Sequence, residues 1–157
     1  MQFKYKKIIN DPVYGMINIP DGIIFNILEH PYFQRLRRIS QAGLANLVYP
    51  GANHTRFHHA IGAMHLALES LDMLEIKGVK ITEDEATGLL LAILMHDIGH
   101  GPFSHVLEHT LTGQHHEDLT LTIMNKMNDE FHGALDTAIQ IFTDQHPKKF
   151  LHQLVSG

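Results

Sequence analysis

The sequence has no cysteine and no tryptophan in its 157 residues. Disulfides and thiolate metal sites are therefore excluded, and any metal centre must be built from histidine and carboxylate. Long apolar runs are missing too, and the longest, around Leu89 to Met95, is far too short to span a bilayer. Lys4, Lys6 and Lys7 lie near the N-terminus, but no apolar stretch of signal-peptide length follows them. A soluble, cytoplasmic protein with no membrane partner is the expectation. No basic excess exists: the formal net charge is −5, which argues against a general nucleic-acid binder. No glycine-rich phosphate cradle is present either, which disfavours kinase and GTPase chemistry.

What remains is an ordinary globular composition with one outlier. Hydrophobic residues make up 44% and charged residues 18%, enough for one domain with its own core, here taken as residues 1–157. The outlier is histidine, with 14 residues, ten of them between His54 and His116. Histidine is the commonest metal ligand and titrates near neutral pH, so such clustering points to a site. The histidines are scattered, unlike the contiguous run of a purification tag.

Periodicity predicts an all-α fold, a compact helical bundle with a small extended or hairpin element at the N-terminus. Residues 1–20 read as extended or turn structure, with Tyr14–Ile19 alternating as a short strand. Asp21 is placed as the cap of a helix carrying Ile23, Ile24, Ile27 and Leu28. A second helix is expected from Pro31 to Gln41, with Arg35, Arg37 and Arg38 on a solvated face. A long helix from Thr55 carries the stripe Ile61, Met64, Leu68, Leu71 and Leu74. Thr82 to Glu85 reads as a capping box that opens a helix running to about Asp97. That helix is apolar nearly all round and should be central. Further helices are expected at Ser104–Leu111, His116–Met127 and Asp129–Phe142, with a last one from Pro147.

His96-Asp97 falls at the end of the most apolar helix, where polar groups are costly unless bonded or coordinated. Taken alone, such a dipeptide is ordinarily a helix-terminal Asp beside a satisfied core histidine. Its neighbours change the reading. Ile98-Gly99-His100-Gly101-Pro102-Phe103-Ser104-His105 follows it, and Pro50-Gly51-Ala52-Asn53-His54-Thr55-Arg56-Phe57-His58-His59 precedes it. With Ile9-Asn10-Asp11-Pro12, Phe33-Gln34-Arg35-Leu36-Arg37, Gln41-Ala42-Gly43 and His116-Glu117, the sequence resembles the HD-domain phosphohydrolases. Within them it is most similar to the branch that includes deoxynucleoside triphosphate triphosphohydrolases.

The resemblance implies a divalent metal ion, manganese, iron, zinc or magnesium, held by His59, His96 and Asp97. It implies catalytic histidines at His100, His105 and His116, and substrate contacts from Gln41 and Arg56. The substrate implied is a nucleotide or another phosphorylated small molecule. His58 departs from the glutamate common at its place, with little effect on the metal and a changed surround expected. Relatives use the places of Gln34 and Arg37 to help bind a regulatory nucleotide. The family completes its metal site with a later aspartate in a segment this sequence does not include, so three of four protein ligands are expected here. Apolar faces at Ile139, Phe142, Phe150 and Leu154 should then be less covered, which predicts a homo-oligomer. The rival expectation is a catalytically poor domain that binds nucleotide or a protein partner. The remaining histidines, His30, His132, His146 and His152, read as surface residues, and His65 as a bonded core residue.

Overall fold

The computed structural model describes residues 3–103, 113 and 115–156. It opens with an antiparallel hairpin of β1 (Tyr5–Asp11) and β2 (Gly15–Pro20), with Asp11 opposite Gly15. The turn is set by the Asp11 carboxylate, which accepts from the amides of Val13 (2.8 Å) and Tyr14 (3.0 Å). Gly15 follows at φ 72°, the left-handed region where a side chain is disfavoured. Alternation along β2 turns Ile17 and Ile19 into the core, so the hairpin closes one face of the helical body.

Next come α1 (Ile23–Glu29) and the short α2 (Pro31–Gln34). Asp21 does not cap α1: the cap residue is Gly22, and the Asp21 carboxylate only accepts from the Gly22 amide. The expected helix to Gln41 stops early. A 3-10 turn at Arg35–Arg38 tightens the chain, and Ile39–Gln41 then runs extended beside His54–Arg56. Ser40 bridges Thr55, while Arg56 N donates to Ile39 O and Gln41 N to His54 O. Those cross-chain bonds satisfy backbone groups that a longer helix would have used internally.

Helix α3 (Arg56–Ile76) starts at Thr55, and here the His58 departure finds its account. Thr55 Oγ1 accepts from His58 N, while His58 Nδ1 accepts from Thr55 N at 3.3 Å. The imidazole therefore does the work that glutamate does in the usual capping box. Helix α4 (Glu83–Met95) carries the expected Thr82–Glu85 box, with Glu85 Oε2 accepting from Thr82 N at 2.8 Å. Leu89, Leu90, Leu91, Ala92, Leu94 and Met95 are all buried, and α3 packs along this central rod. Each buried leucine contributes roughly 1.5–3 kcal/mol of transfer free energy.

Helix α5 (His116–Glu130) ends later than expected, and the chain turns before α6 (Asp136–Phe142) and α7 (Lys149–Ser156). Residues 129–142 are thus not one helix. The turn is a Schellman closure: Gly133 N donates to Asn128 O (2.9 Å) and His132 N to Asp129 O (3.3 Å). The expected helix at Ser104–Leu111 lies outside the described residues. The fold is helix-rich with a two-stranded hairpin, so "all-α" holds for the body and not for the N-terminus.

Ile139, Phe142 and Phe150 are half-buried against the core, and Leu154 is exposed. A larger apolar exposure lies elsewhere, on Leu44, Leu47, Val48 and Tyr49. Among the described residues, no helix is long and apolar enough to cross a membrane.

Candidate metal centre

Two helices and one turn build the site. His59 sits one turn into α3, and His96 and Asp97 follow the last turn of α4, so the packing of these helices brings the three together. One ligand atom from each lies within 4.8 Å of the other two. The two Nε2 atoms are 3.2 Å apart, close enough for both to reach a common cation at about 2.1 Å. His59 Nε2 is 3.9 Å from Asp97 Oδ2, and His96 Nε2 is 3.5 Å from Asp97 Oδ1.

The donor set suits a divalent ion. His96 Nδ1 lies 2.6 Å from Ile93 O, and a carbonyl can only accept, so the ring proton sits on Nδ1. Nε2 is left with the lone pair that coordination needs. Burial holds His59 below the usual histidine value, and nearby His96 adds to the effect, which keeps its ring neutral. Burial pushes the Asp97 carboxyl up, but the hydrogen bond from His100 and the charges of His96 and Arg56 outweigh it. The group is held well below the usual carboxylate range and is ionised. Two imidazoles and one carboxylate fit manganese, iron or zinc, and do not by themselves choose among them.

The surroundings orient these groups. Arg56 is buried, and its Nη1 donates to Asp97 Oδ2 at 2.6 Å. His100 is buried as well, with Nε2 3.3 Å from Asp97 Oδ1, and its own pKa is lowered chiefly by that burial. The His100 ring stacks on His116, centroids 3.9 Å apart and planes at 17°. His100 thus faces the carboxylate, while His116 lines an open cleft of about 380 Å³ with His96, Asp97, Glu117 and His152. Gln41 is carried to the neighbourhood of Arg56 by the extended pairing of Ile39–Gln41, and its buried Oε1 has no hydrogen-bond partner among the described residues. His105 lies outside the described residues.

Residues 56–151 match the HD domain family. The chain belongs to that family. The deoxynucleoside triphosphate triphosphohydrolase SAMHD1 homolog of Dictyostelium discoideum is 39% identical over 162 residues, covering 98% of this chain and 30% of that protein. Human deoxynucleoside triphosphate triphosphohydrolase SAMHD1 is 41% identical over 104 residues, 65% of this chain and 16% of its own length. A solved phosphohydrolase from Bacteroides thetaiotaomicron superposes with a TM-score of 0.95 at 57% identity, covering 97% of this chain and 38% of that one. The HD chain described here therefore spans well under half the length of each of these relatives.

Several side chains have surroundings that sequence reasoning did not anticipate. Arg35, assigned to a solvated face, instead donates from Nη1 to His100 O (2.8 Å) and from Nη2 to Ile98 O. The 3-10 turn swings it inward, and burial lowers its pKa. Arg37 lies over the Phe57 ring at 3.6 Å and donates to Gln34 Oε1 at 2.8 Å. His152, taken as a surface residue, donates from Nδ1 to Ile141 O (2.9 Å) and lines the cleft. His30 pairs with Glu130 at 3.0 Å and its Nδ1 accepts from Tyr32 N, so it too has a structural task. His65 is half-buried, edge-on to Tyr14 with ring centroids 5.4 Å apart. His132 is exposed, as expected.

Proposed function

We propose that this HD domain hydrolyses a phosphoester or triphosphate linkage of a nucleotide, with a divalent ion held by His59, His96 and Asp97. The observation that carries the reading is the 3.2 Å approach of the two Nε2 atoms beside an ionised carboxylate at the mouth of a cleft. When bound, the ion supplies a Lewis acid for a phosphoryl oxygen and a lowered pKa for water. Arg56 fixes the carboxylate and adds positive charge beside it, as a developing phosphoryl charge requires. His100 takes its orientation from Asp97 and supports the His116 ring from below. His116, which lines the cleft, is proposed to give a proton to the leaving oxygen, with His105 assigned to the same task in the family pattern. The buried Gln41 Oε1 is assigned to a donor on the substrate.

Deoxynucleoside triphosphates are the proposed substrate class, because the named curated relatives act on them. Residues 1–157 are proposed to act as one HD-type unit in the cytoplasm, and to self-associate through exposed apolar side chains such as Leu47, Val48 and Leu154. A manganese-supplemented assay on deoxynucleoside triphosphates and a generic phosphoester, run beside metal analysis, tests the activity. Turnover that EDTA removes and manganese restores is expected. Tight metal binding without any turnover would favour a binding domain and overturn the enzymatic reading.

A further inference from the structure

Thr120 is fully buried, lies outside every motif of the sequence, and still touches the turn that carries the metal-binding pair. Its hydroxyl donates to His96 O at 3.2 Å and accepts from Gly99 N at 3.0 Å, and so straddles Asp97. Both partners are backbone groups at the frayed end of α4, which no helical bond satisfies. The approach is close. A Cβ added at Gly99 would lie 2.2 Å from His116 O, 2.4 Å from Thr120 N and 2.6 Å from Thr120 Oγ1. Only glycine lets the first turn of α5 rest on this loop.

His116 stands four residues before Thr120, one helical turn away on the same face of α5. Fixing Thr120 on the His96–Gly99 turn therefore fixes where the His116 ring falls. That ring falls on His100, stacked at 3.9 Å. We infer that Thr120 is a positioning residue that sets the register of α5 on the His96–Gly99 turn and so holds His116 over His100 at the cleft. A hydroxyl is required because one atom must both donate and accept. The catalytic consequence rests on the function proposed above, whereas the geometric one does not.

The test compares Thr120→Val, which keeps the shape and loses both hydrogen bonds, with Thr120→Ser, which keeps them. Two readouts are used: the imidazole carbon-bound proton signals of His100 and His116 by NMR, and kcat and KM on a deoxynucleoside triphosphate with manganese. In Thr120→Val the two imidazole signals should move toward unstacked positions, and kcat should fall about 10- to 100-fold with KM little changed. Thr120→Ser should restore both. A merely structural residue would lower Tm and leave both readouts in place, and that result overturns the inference. If Thr120→Val does not fold, Thr120→Ala, which also removes both hydrogen bonds, takes its arm, and wild-type signals and kcat there overturn it equally. A wild type without turnover would sink the hydrolase reading alone, since the imidazole signals still decide the role of Thr120.

Discussion

The two ends of α4 carry nearly the same list of parts. At the N-terminal end Glu85 sits 2.6 Å from Lys148 Nζ and 3.9 Å from His146 Nε2. At the C-terminal end Asp97 sits 2.6 Å from Arg56 Nη1 and 3.9 Å from His59 Nε2. A carboxylate, a cation and a histidine at matching distances therefore do not make a site. What differs is where the remaining lone pairs point. Glu85 turns back on its own helix to accept from Thr82 N, so it is absorbed in a cap. Asp97 lies past the end of the helix, beside two imidazole nitrogens 3.2 Å apart, and opens on a cleft. The first arrangement closes on itself, and the second leaves a common point for a ligand.

The largest expected effect breaks that contrast directly. Asp97→Asn keeps the shape and an oxygen for Arg56 while removing the ligand charge, so manganese binding and any hydrolysis should both be lost. Glu85→Ala should leave both intact and lower stability by about 1–2 kcal/mol, the usual cost of a lost cap. Calorimetry with manganese and denaturant unfolding of the two variants read the difference. Equal metal affinity in wild type and Asp97→Asn would remove the carboxylate from the centre. A loss of metal affinity in Glu85→Ala would show that the two ends are coupled.

Much of this contrast is legible in the sequence, because both ends rest on local signals. The Thr82–Glu85 box and the buried run to Met95 define α4, and His96-Asp97 stands at its foot. The packing of α3 on α4 then brings His59 across, as its position one turn into α3 requires. The parts that stayed hidden depend on long-range geometry. Arg35 looks like one of three surface arginines until a 3-10 turn aims it at the carbonyls of Ile98 and His100. Gly99 follows the expected helix end in sequence as one residue of a motif, whereas its bare Cα is what admits α5. His58 was visible as an odd residue, and its three-residue spacing from Thr55 was the signal for the capping role. Thr120 offered only its four-residue spacing from His116.

A smaller effect sharpens the same comparison by pH. His59 and His100 are held below their ordinary 6.5 by burial, and Glu85 is held below its ordinary 4.5 by Lys148 and Thr82 despite its burial. A group with a lowered folded pKa stabilises the fold above its unfolded value and loses that contribution as pH falls through the folded value. The C-terminal end should therefore fail in two windows, through its histidines and then Asp97, and the N-terminal end only in the lower one, through Glu85. In EDTA, stability should begin to fall just below pH 6.5 as the histidine contribution is lost, and fall again below pH 4.5 as the contributions of Glu85 and Asp97 are lost. His59→Asn should make the upper fall shallower and Glu85→Gln the lower, with Asp97 keeping part of the lower one. A Tm that stays level from pH 7 to pH 5 in wild type would refute the lowered histidine values.

The smallest expected effect is a control at the far end of α5 from the metal centre. His132 occupies the left-handed position of the turn that closes α5, at φ 55°. Its neighbour Gly133 completes the Schellman bond to Asn128 O. A residue with a Cβ pays about 1–2 kcal/mol in that conformation, and glycine does not. The His132 ring is exposed, so its removal gives up little packing. His132→Gly should therefore raise stability, by about 0.5–1 kcal/mol once the greater freedom of glycine in the unfolded chain is set against the relieved strain. Metal affinity and turnover should not change, because α5 is fixed to the His96–Gly99 turn at its other end. Denaturant midpoints of His132→Gly and His132→Ala separate the two contributions: alanine keeps the Cβ and should gain nothing. A gain in both variants would place the strain in the imidazole instead of the backbone. A change in manganese affinity would mean that the C-terminal end of α5 reaches the metal centre after all.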